Sequence, residues 1–410
     1  MSVQEDFSGR GLAADMQRDD PPFVSRRRSA LPVIVLGGSL TGAAVCRILH
    51  RARISHCWIT NDRDAFQHSR FRRAPPNLSA DFGPADICNL LQDGKIHDGV
   101  LLPCSDDWLV AVAALPKVVH DRFPSSLPTL DVAETFVDKW KFAQAVEQFG
   151  IPHPRTTLVT GVDQLREIAD DEVESRLLKP VHSLEFCRKH GVKAYLVPDK
   201  VAALSKAEGL DFPIMLQEYI PGPAQRHFFI DGFIDAHGRT CALFARQRLR
   251  MYPEKLSNST FMISIPVGVV QPAADALVRF LGFLNHRGIF SAEFKYDQRD
   301  NQFKILEVNA RPWWYVEFTA RCGVDVCSMS YKDALGLEVE PQMTYSVGRR
   351  CVNFLLDLPG FLRRSEGFPT AFWPWFKSVA GADDAIFRWS DPVPAIVSGF
   401  AQIRRYWQKQ

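Results

Sequence analysis

No run of eighteen or more apolar residues occurs in this 410-residue chain, so a membrane-spanning helix is not expected. No Cys-x-x-Cys pair occurs either. The nine cysteines are scattered, the two nearest being Cys322 and Cys327, a usage expected of a reducing compartment and not of a disulfide framework or a zinc site. An excess of charge of one sign is also missing: 49 Lys and Arg stand against 47 Asp and Glu, a formal +2, which gives no reason to expect a nucleic-acid partner. The first thirty residues lack the apolar core of a signal peptide. They read as a disordered arm ending in Arg26-Arg27-Arg28, and the cytoplasm is the expected location. The phosphate-cradling pattern G-x-x-x-x-G-K-[ST] is absent. At Gly37–Gly42 the dinucleotide pattern fails because Ser39 replaces its second glycine, and G-x-S-x-G fails at Thr41.

The length predicts two or three domains. Strands at Val33–Leu36, Ser55–Ile59 and Gly99–Leu102 alternate with helices, which argues for a parallel sheet. A ligand would then lie past the strand ends, at Gly37-Gly38-Ser39, Asn61-Asp62 and Pro103–Asp107. From Asp138 a helix runs to Phe149 and stops at Gly150-Ile151-Pro152. Strands at Leu177–Lys179, Ile214–Tyr219, His227–Ile234 and Ala242–Leu249 follow, with helices at Val201–Glu208 and Ala273–Leu284. This order suits an α+β unit with antiparallel sheet. The expected divisions are the arm over 1–30, an α/β domain over 31–137, a second unit over 138–340 with a small lobe near 150–220, and an aromatic-rich extension over 341–410.

The segment Ile289–Pro312 carries the clearest chemistry. Ile289–Tyr296 and Gln302–Ala310 read as strands joined by a polar turn, and folding them about Asp300 sets Glu293 opposite Glu307. Two carboxylates directly across a strand pair repel, so a positive group is expected between them. Asn309 shares their face. Two carboxylates and an amide suit a hard cation such as Mg2+ or Mn2+ that also takes phosphate and water; a solvated hairpin face is the alternative.

These residues, with the run Glu307-Val308-Asn309-Ala310-Arg311-Pro312, resemble the metal-binding core of the ATP-grasp superfamily, carboxylate–amine ligase type. The resemblance extends over roughly residues 32–335. It implies an N-terminal parallel-sheet domain, a small ATP-binding lobe and an antiparallel-sheet lobe. It implies ATP and magnesium as cofactors, with Glu293, Glu307 and Asn309 on the metal. Asp138-Lys139-Trp140-Lys141 is similar to the segment carrying a first phosphate lysine, Lys139. Arg176-Leu177-Leu178-Lys179-Pro180 is similar to the strand carrying a second, Lys179. Leu216–Gly222 resembles the adenine hinge, with Gln217, Glu218, Tyr219 and Ile220 at the nucleotide; backbone groups of Glu218–Ile220 would pair with the base, and the Glu218 side chain would accept from the adenine amine or the ribose. Arg311 and Arg248 would act on the reacting groups, with Arg248 standing where many relatives have lysine. Gly38, Ser39, Asp106 and Arg250 are candidates for substrate contacts. Ser69-Arg70 is similar to a recurrent first-domain element. One departure is the loop between Pro180 and Lys193, usually glycine-rich, which here holds only Gly191; its His182, Glu185 and His190 match no zinc motif.

The implied activity joins a small amino-acid-like carboxylate to an amine, or a thiol, through an acyl phosphate. The alternatives are a carboxylase using bicarbonate and a nucleotide-binding regulator without turnover. For Phe372-Trp373-Pro374-Trp375-Phe376, Trp389 and Trp407, core or lid packing is expected; a partner surface or interfacial membrane contact is the alternative, and a homodimer is compatible with either.

Overall fold

The computed structural model describes residues 31–60, 64–73, 83–92, 96–253, 256–364 and 371–407. The arm expected over 1–30 and the strand end Asn61-Asp62 lie outside the described residues.

Three sheets organise the chain. The first is parallel, in the order β2-β1-β3, with β1 Val33–Leu36, β2 His56–Ile59 and β3 Val100–Pro103. Strand β1 is wholly apolar because both its faces are covered: Val33 and Val35 enter one core, Ile34 and Leu36 another. Gly38 follows in a left-handed conformation (φ +66°), and a Cβ there would stand 2.5 Å from the Cys104 carbonyl oxygen. Only glycine lets the β1 turn sit this close to the end of β3.

The second sheet is antiparallel, ordered β4-β7-β5-β6, with β4 Thr156–Val159, β5 Arg176–Pro180, β6 Tyr195–Val197 and β7 Ile214–Glu218. Val159, Leu178, Ile214 and Leu216 bury one face against Leu165, Ala203 and Ala207. Strand alternation then turns Thr156, Lys179, Met215 and Gln217 toward the third sheet.

That sheet has seven strands in the order β12-β11-β8-β9-β10-β13-β14. They span His227–Ile234 (β8), Thr240–Met251 (β9), Ser259–Ile265 (β10), Gly288–Asp297 (β11), Gln302–Asn309 (β12), Arg350–Val352 (β13) and Asp383–Asp384 (β14). Ile230, Phe290 and Phe294 pack one face against Leu277 and Phe280 of the helix Gln271–Phe283. The opposite face carries the polar residues described below.

Three features were not foreseen. The segment after Pro180 is not a simple loop: it contains the helix Ser183–His190, closed by Gly191 at φ +69°. Phe186 is buried there, 4.5 Å from the His190 ring and 6.0 Å from Tyr195 between centroids, and this i, i+4 ring pair holds the turn in helix. Second, the aromatic tail contributes β13 and β14 to the large sheet. Third, Asp391 of that tail accepts from the Ser69 hydroxyl (2.6 Å), the Arg70 amide (2.9 Å) and Arg47 (2.9 Å), so Ser69-Arg70 anchors the tail to the first sheet's domain.

Arg250 is likewise turned to the tail. Its guanidinium grips Asp357 through two nitrogens (2.9 and 2.7 Å) and donates to the Ser378 hydroxyl at 2.8 Å, so a substrate role is not what its contacts support. Asp357 also accepts from Trp375 Nε1 at 2.8 Å, and Trp375 stacks on Phe361 with centroids 5.0 Å apart. Trp373 and Phe376 of the same helix, and Trp389, are exposed. Arg250→Ala is expected to lower the melting temperature by several degrees while leaving substrate KM unchanged, because it strips the buried Asp357 of its partner. A raised KM at an unchanged Tm would restore the substrate role.

Candidate active site

The large sheet's polar face is built on register. Glu293 pairs directly with Glu307 across β11 and β12, and Ser291 pairs with Asn309. The positive groups that offset this carboxylate pair are supplied by neighbouring strands. Arg248 Nη2 lies 3.0 Å from Glu293 Oε1, and His227 Nδ1 donates to the same oxygen at 2.8 Å. Burial alone would raise the Glu293 carboxyl, but the Arg248 guanidinium and the His227 hydrogen bond hold it well below the usual carboxylate range. His227 is pushed the other way: burial lowers its pKa, and it serves as a neutral donor. Glu307 is far more open, 45% exposed at the side chain, with Lys139 Nζ at 3.7 Å.

Deeper on the same face is a fully buried pair. Arg246 contacts Asp231 through Nε (2.6 Å) and Nη2 (3.2 Å), Ser291 donates to Asp231 at 2.6 Å, and Phe229 stacks 4.1 Å from the guanidinium. This arrangement fixes Ser291, two residues before Glu293.

The small sheet faces this surface across a cleft lined by Lys139, Lys179, Gln217, His153, Leu306 and Glu307. Lys139 opens the helix Lys139–Gln148, whose N-terminus Asp138 caps by accepting from the amides of Trp140 (2.8 Å) and Lys141 (3.0 Å). Lys179 reaches the cleft from β5, held by Gln217 Oε1 at 2.5 Å, and Gln217 in turn donates to the Thr156 hydroxyl at 3.0 Å. Burial, assisted by Lys139, pulls the Lys179 ammonium down to about 8.

If a triphosphate enters this cleft it favours the ammonium again, and at pH 8 its binding would take up about half a proton at Lys179. Affinity should fall as pH rises above about 8. Calorimetric titration in buffers of different ionisation heat reads the proton count, and binding without uptake contradicts the assignment. By the same linkage Lys179 costs the fold stability below pH 8, and that cost fades as pH rises toward its unfolded value of 10.5.

At the hinge, the Glu218 amide donates to Arg155 O (2.8 Å), and its carboxylate accepts from Arg299 (2.6 Å) and the Arg155 amide (3.1 Å), with Lys304 at 3.8 Å. Glu218 therefore ties β7 to the β11–β12 turn. Tyr219 follows with its ring 5.0 Å from the Lys295 ammonium, and Ile220 is buried.

Arg311 leaves the end of β12 and meets the first domain. Its Nε donates to Asp106 Oδ1 at 2.7 Å and its Nη2 to Asn309 Oδ1 at 3.0 Å. Burial would raise Asp106, but the charge and hydrogen bond of Arg311 bring it below its ordinary value. Asp106 begins the helix Asp106–Ala113 two residues after Cys104, against which Gly38 packs, so the Gly38-Ser39 turn borders the same corner. The Ser39 hydroxyl there accepts from the Leu40 amide at 2.6 Å.

The structure thus brings Lys139, Lys179, Gln217, Glu293, Glu307, Asn309, Arg248, Arg311 and Asp106 to one cleft and its rim, and leaves Arg250 outside it. Sequence reasoning missed His227. Alternation along β8 puts it on the same face as Phe229, and only the pairing of Phe229 with Glu293 in the folded sheet brings it to the site.

Taken together, a parallel-sheet domain, a four-stranded small sheet and a large antiparallel sheet clasping a lysine- and carboxylate-lined cleft are the ATP-grasp fold. No family model matches the chain. Among curated proteins, the D-aspartate ligase of Enterococcus faecium (strain Aus0004) is 18% identical over 261 residues, 61% of this chain and 62% of that protein, so the match spans less than two thirds of the relative. Among solved structures, the ADP complex of an N5-carboxyaminoimidazole ribonucleotide synthetase superposes with a TM-score of 0.61 at 14% identity, covering 82% of this chain and 85% of the other. The biotin carboxylase domain of Hydrogenobacter thermophilus 2-oxoglutarate carboxylase gives 0.59 at 13% identity (78% and 73%). The L-amino acid ligase of Bacillus licheniformis gives 0.55 at 12% (76% and 77%).

Proposed function

We propose that this protein is an ATP- and Mg2+-dependent ligase that joins a small amino-acid-like carboxylate to an amine through an acyl phosphate. The observation that carries the reading is Glu293 set directly across from Glu307, with Lys139 and Lys179 facing them and Arg311 at the end of the same strand. The similarity to a D-aspartate ligase and to an L-amino acid ligase supports an amino-acid-like substrate.

Two opposed carboxylates and the Asn309 amide form an oxygen donor set that fits magnesium, and Glu307 is open to the cleft to receive it. The ion would supply charge neutralisation across the transferred phosphate. Lys139 and Lys179 would hold the phosphates that stay with ADP. The substrate carboxylate oxygen attacks the γ-phosphorus and the bond to the ADP oxygen breaks. The amine nitrogen, having lost a proton, then attacks the acyl carbon, and inorganic phosphate leaves with the C–O electrons. Arg311 would steady the oxygen that gains charge in both steps, with Asp106 holding its Nε.

Phosphate release from Mg·ATP across pooled amino acids tests the proposal. Release that depends on one pool is expected. Tight ATP binding with no turnover in any pool would favour a nucleotide-binding regulator.

A further inference from the structure

The C-terminal extension leaves apolar side chains outside on three successive helices. In the helix Phe354–Arg364, Phe354, Leu358 and Leu362 are exposed one turn apart, a single stripe along its length. Both flanks of that stripe are occupied. Leu355 lies against Gly399 of the helix Val393–Trp407, and Phe361 stacks on Trp375 of the helix Phe372–Val379. The stripe therefore opens outward between two neighbours, and each neighbour has an exposed apolar face of its own. Trp373 and Phe376 form one, and Ile396 and Phe400 the other, again a turn apart. Trp389, between these two helices, is 91% exposed.

Charge on the extension is sorted in the same sense. Residues 341–410 hold nine Lys and Arg against five Asp and Glu. The four described carboxylates are all drawn inward: Asp357 to Arg250, Asp383 to Arg321 and Arg349, Asp391 to Arg47, and Asp384 to the amides of Phe354 and Ile386. Lys377 is exposed beside Phe376, and Arg350 donates to the Ser378 and Ala380 carbonyls at the end of the same helix (2.7 and 2.9 Å). Among the described residues no carboxylate pairs with either cation.

A tryptophan-bearing apolar face with cations beside it is complementary to an anionic lipid surface, where indole rings sit at headgroup level and lysine reaches the phosphates. A second copy fits less well, because lysine is depleted at the core of protein contacts and a symmetric contact brings like charges together. Among the described residues no helix is long and apolar enough to cross a membrane, so the contact would lie along its surface. We propose that these three helices dock the protein on a membrane bearing anionic headgroups, with Trp373, Phe376 and Trp389 entering the headgroup layer and Lys377 pairing with its phosphates. This role is independent of the reaction in the cleft.

Flotation of the full chain with vesicles of phosphatidylcholine, alone or in equal mixture with phosphatidylglycerol, tests it on wild type, Lys377→Gln and a double variant, Trp373→Ala with Phe376→Ala. Wild type should float with the anionic vesicles, come off them as salt is raised, and stay behind with the neutral ones. The double variant should partition about tenfold or more weakly, having lost two aromatic side chains that enter the lipid. Lys377→Gln should partition about fivefold more weakly, the effect of one cation at such a surface. Unchanged melting temperatures, expected for exposed side chains, show that the variants are folded. A wild type that floats with neither vesicle would overturn the proposal, as would flotation that the double variant leaves intact. A solution mass that rises with concentration in wild type alone, without flotation, would assign the face to a second copy and overturn it too.

Discussion

Glu307→Ala is expected to slow ATP-dependent phosphate release by about a hundredfold or more while moving the melting temperature hardly at all. The two halves of this expectation have separate causes. The rate effect follows because preorganised charge at the reacting phosphate is commonly the largest catalytic contribution, with single groups worth ~10²–10³. Glu307 is the open member of the pair and the one aimed into the cleft. The stability effect is small because its partner, Lys139 at 3.7 Å, is half-solvated like itself, and such surface pairs contribute ~0–1 kcal/mol. A coupled ADP assay beside a thermal melt reads both. Full activity in the variant would remove Glu307 from the chemistry. An unfolded variant would recast the hairpin pair as structural.

Asp231→Ala should do the reverse. Asp231 and Arg246 are buried beneath the site, and burial raises the Asp231 carboxyl even against the guanidinium. Removing one partner leaves an uncompensated buried charge, which costs about 3–5 kcal/mol. Urea unfolding should show that loss. Replacing both residues by apolar side chains of similar volume should recover much of it, because the desolvation of both charges is then avoided. A single substitution costing less than about 1 kcal/mol would show that water reaches the pair.

How far the sequence foretold these groups depended on the range of the interaction. The opposition of Glu293 and Glu307 was foreseen, but the turn alone does not set it: the register that runs from Asp297–Gln302 to Phe294–Ile305 shifts by one residue at Leu306, and that irregularity brings the two carboxylates opposite each other. Lys139 and Lys179 were picked out by the resemblance of their segments, and Pro180 after Lys179 gave a local reason for its extended backbone; the Asp138 cap shows only in the structure. The strand His227–Ile234, read as an alternating segment, has its expected ends, although in the structure every one of its residues is buried.

What the sequence did not show was set by distant partners. Arg250 meets Asp357 across 107 residues and Glu218 meets Arg299 across 81; no local pattern encodes such pairings. The helix after Pro180 is a different kind of miss. Its composition was weighed for missing glycines, while the spacing of Phe186 and His190, one helical turn apart, carried the information. The short strands Arg350–Val352 and Asp383–Asp384 have too few residues to show alternation, and they exist because the edge of β10 is there to pair with. His227 was hidden because a single histidine in an apolar run carries no signal until the strand beside it is known.

Trapping with hydroxylamine reads the acyl phosphate itself. Hydroxylamine replaces the amine, and an acyl phosphate formed from the right carboxylate is captured as a hydroxamate. With Mg·ATP and pooled amino acids, hydroxamate is expected in step with ADP for one pool, and both products about a hundredfold more slowly with Glu307→Ala. ADP formed without hydroxamate in every pool would contradict a carboxyl-activating ligase.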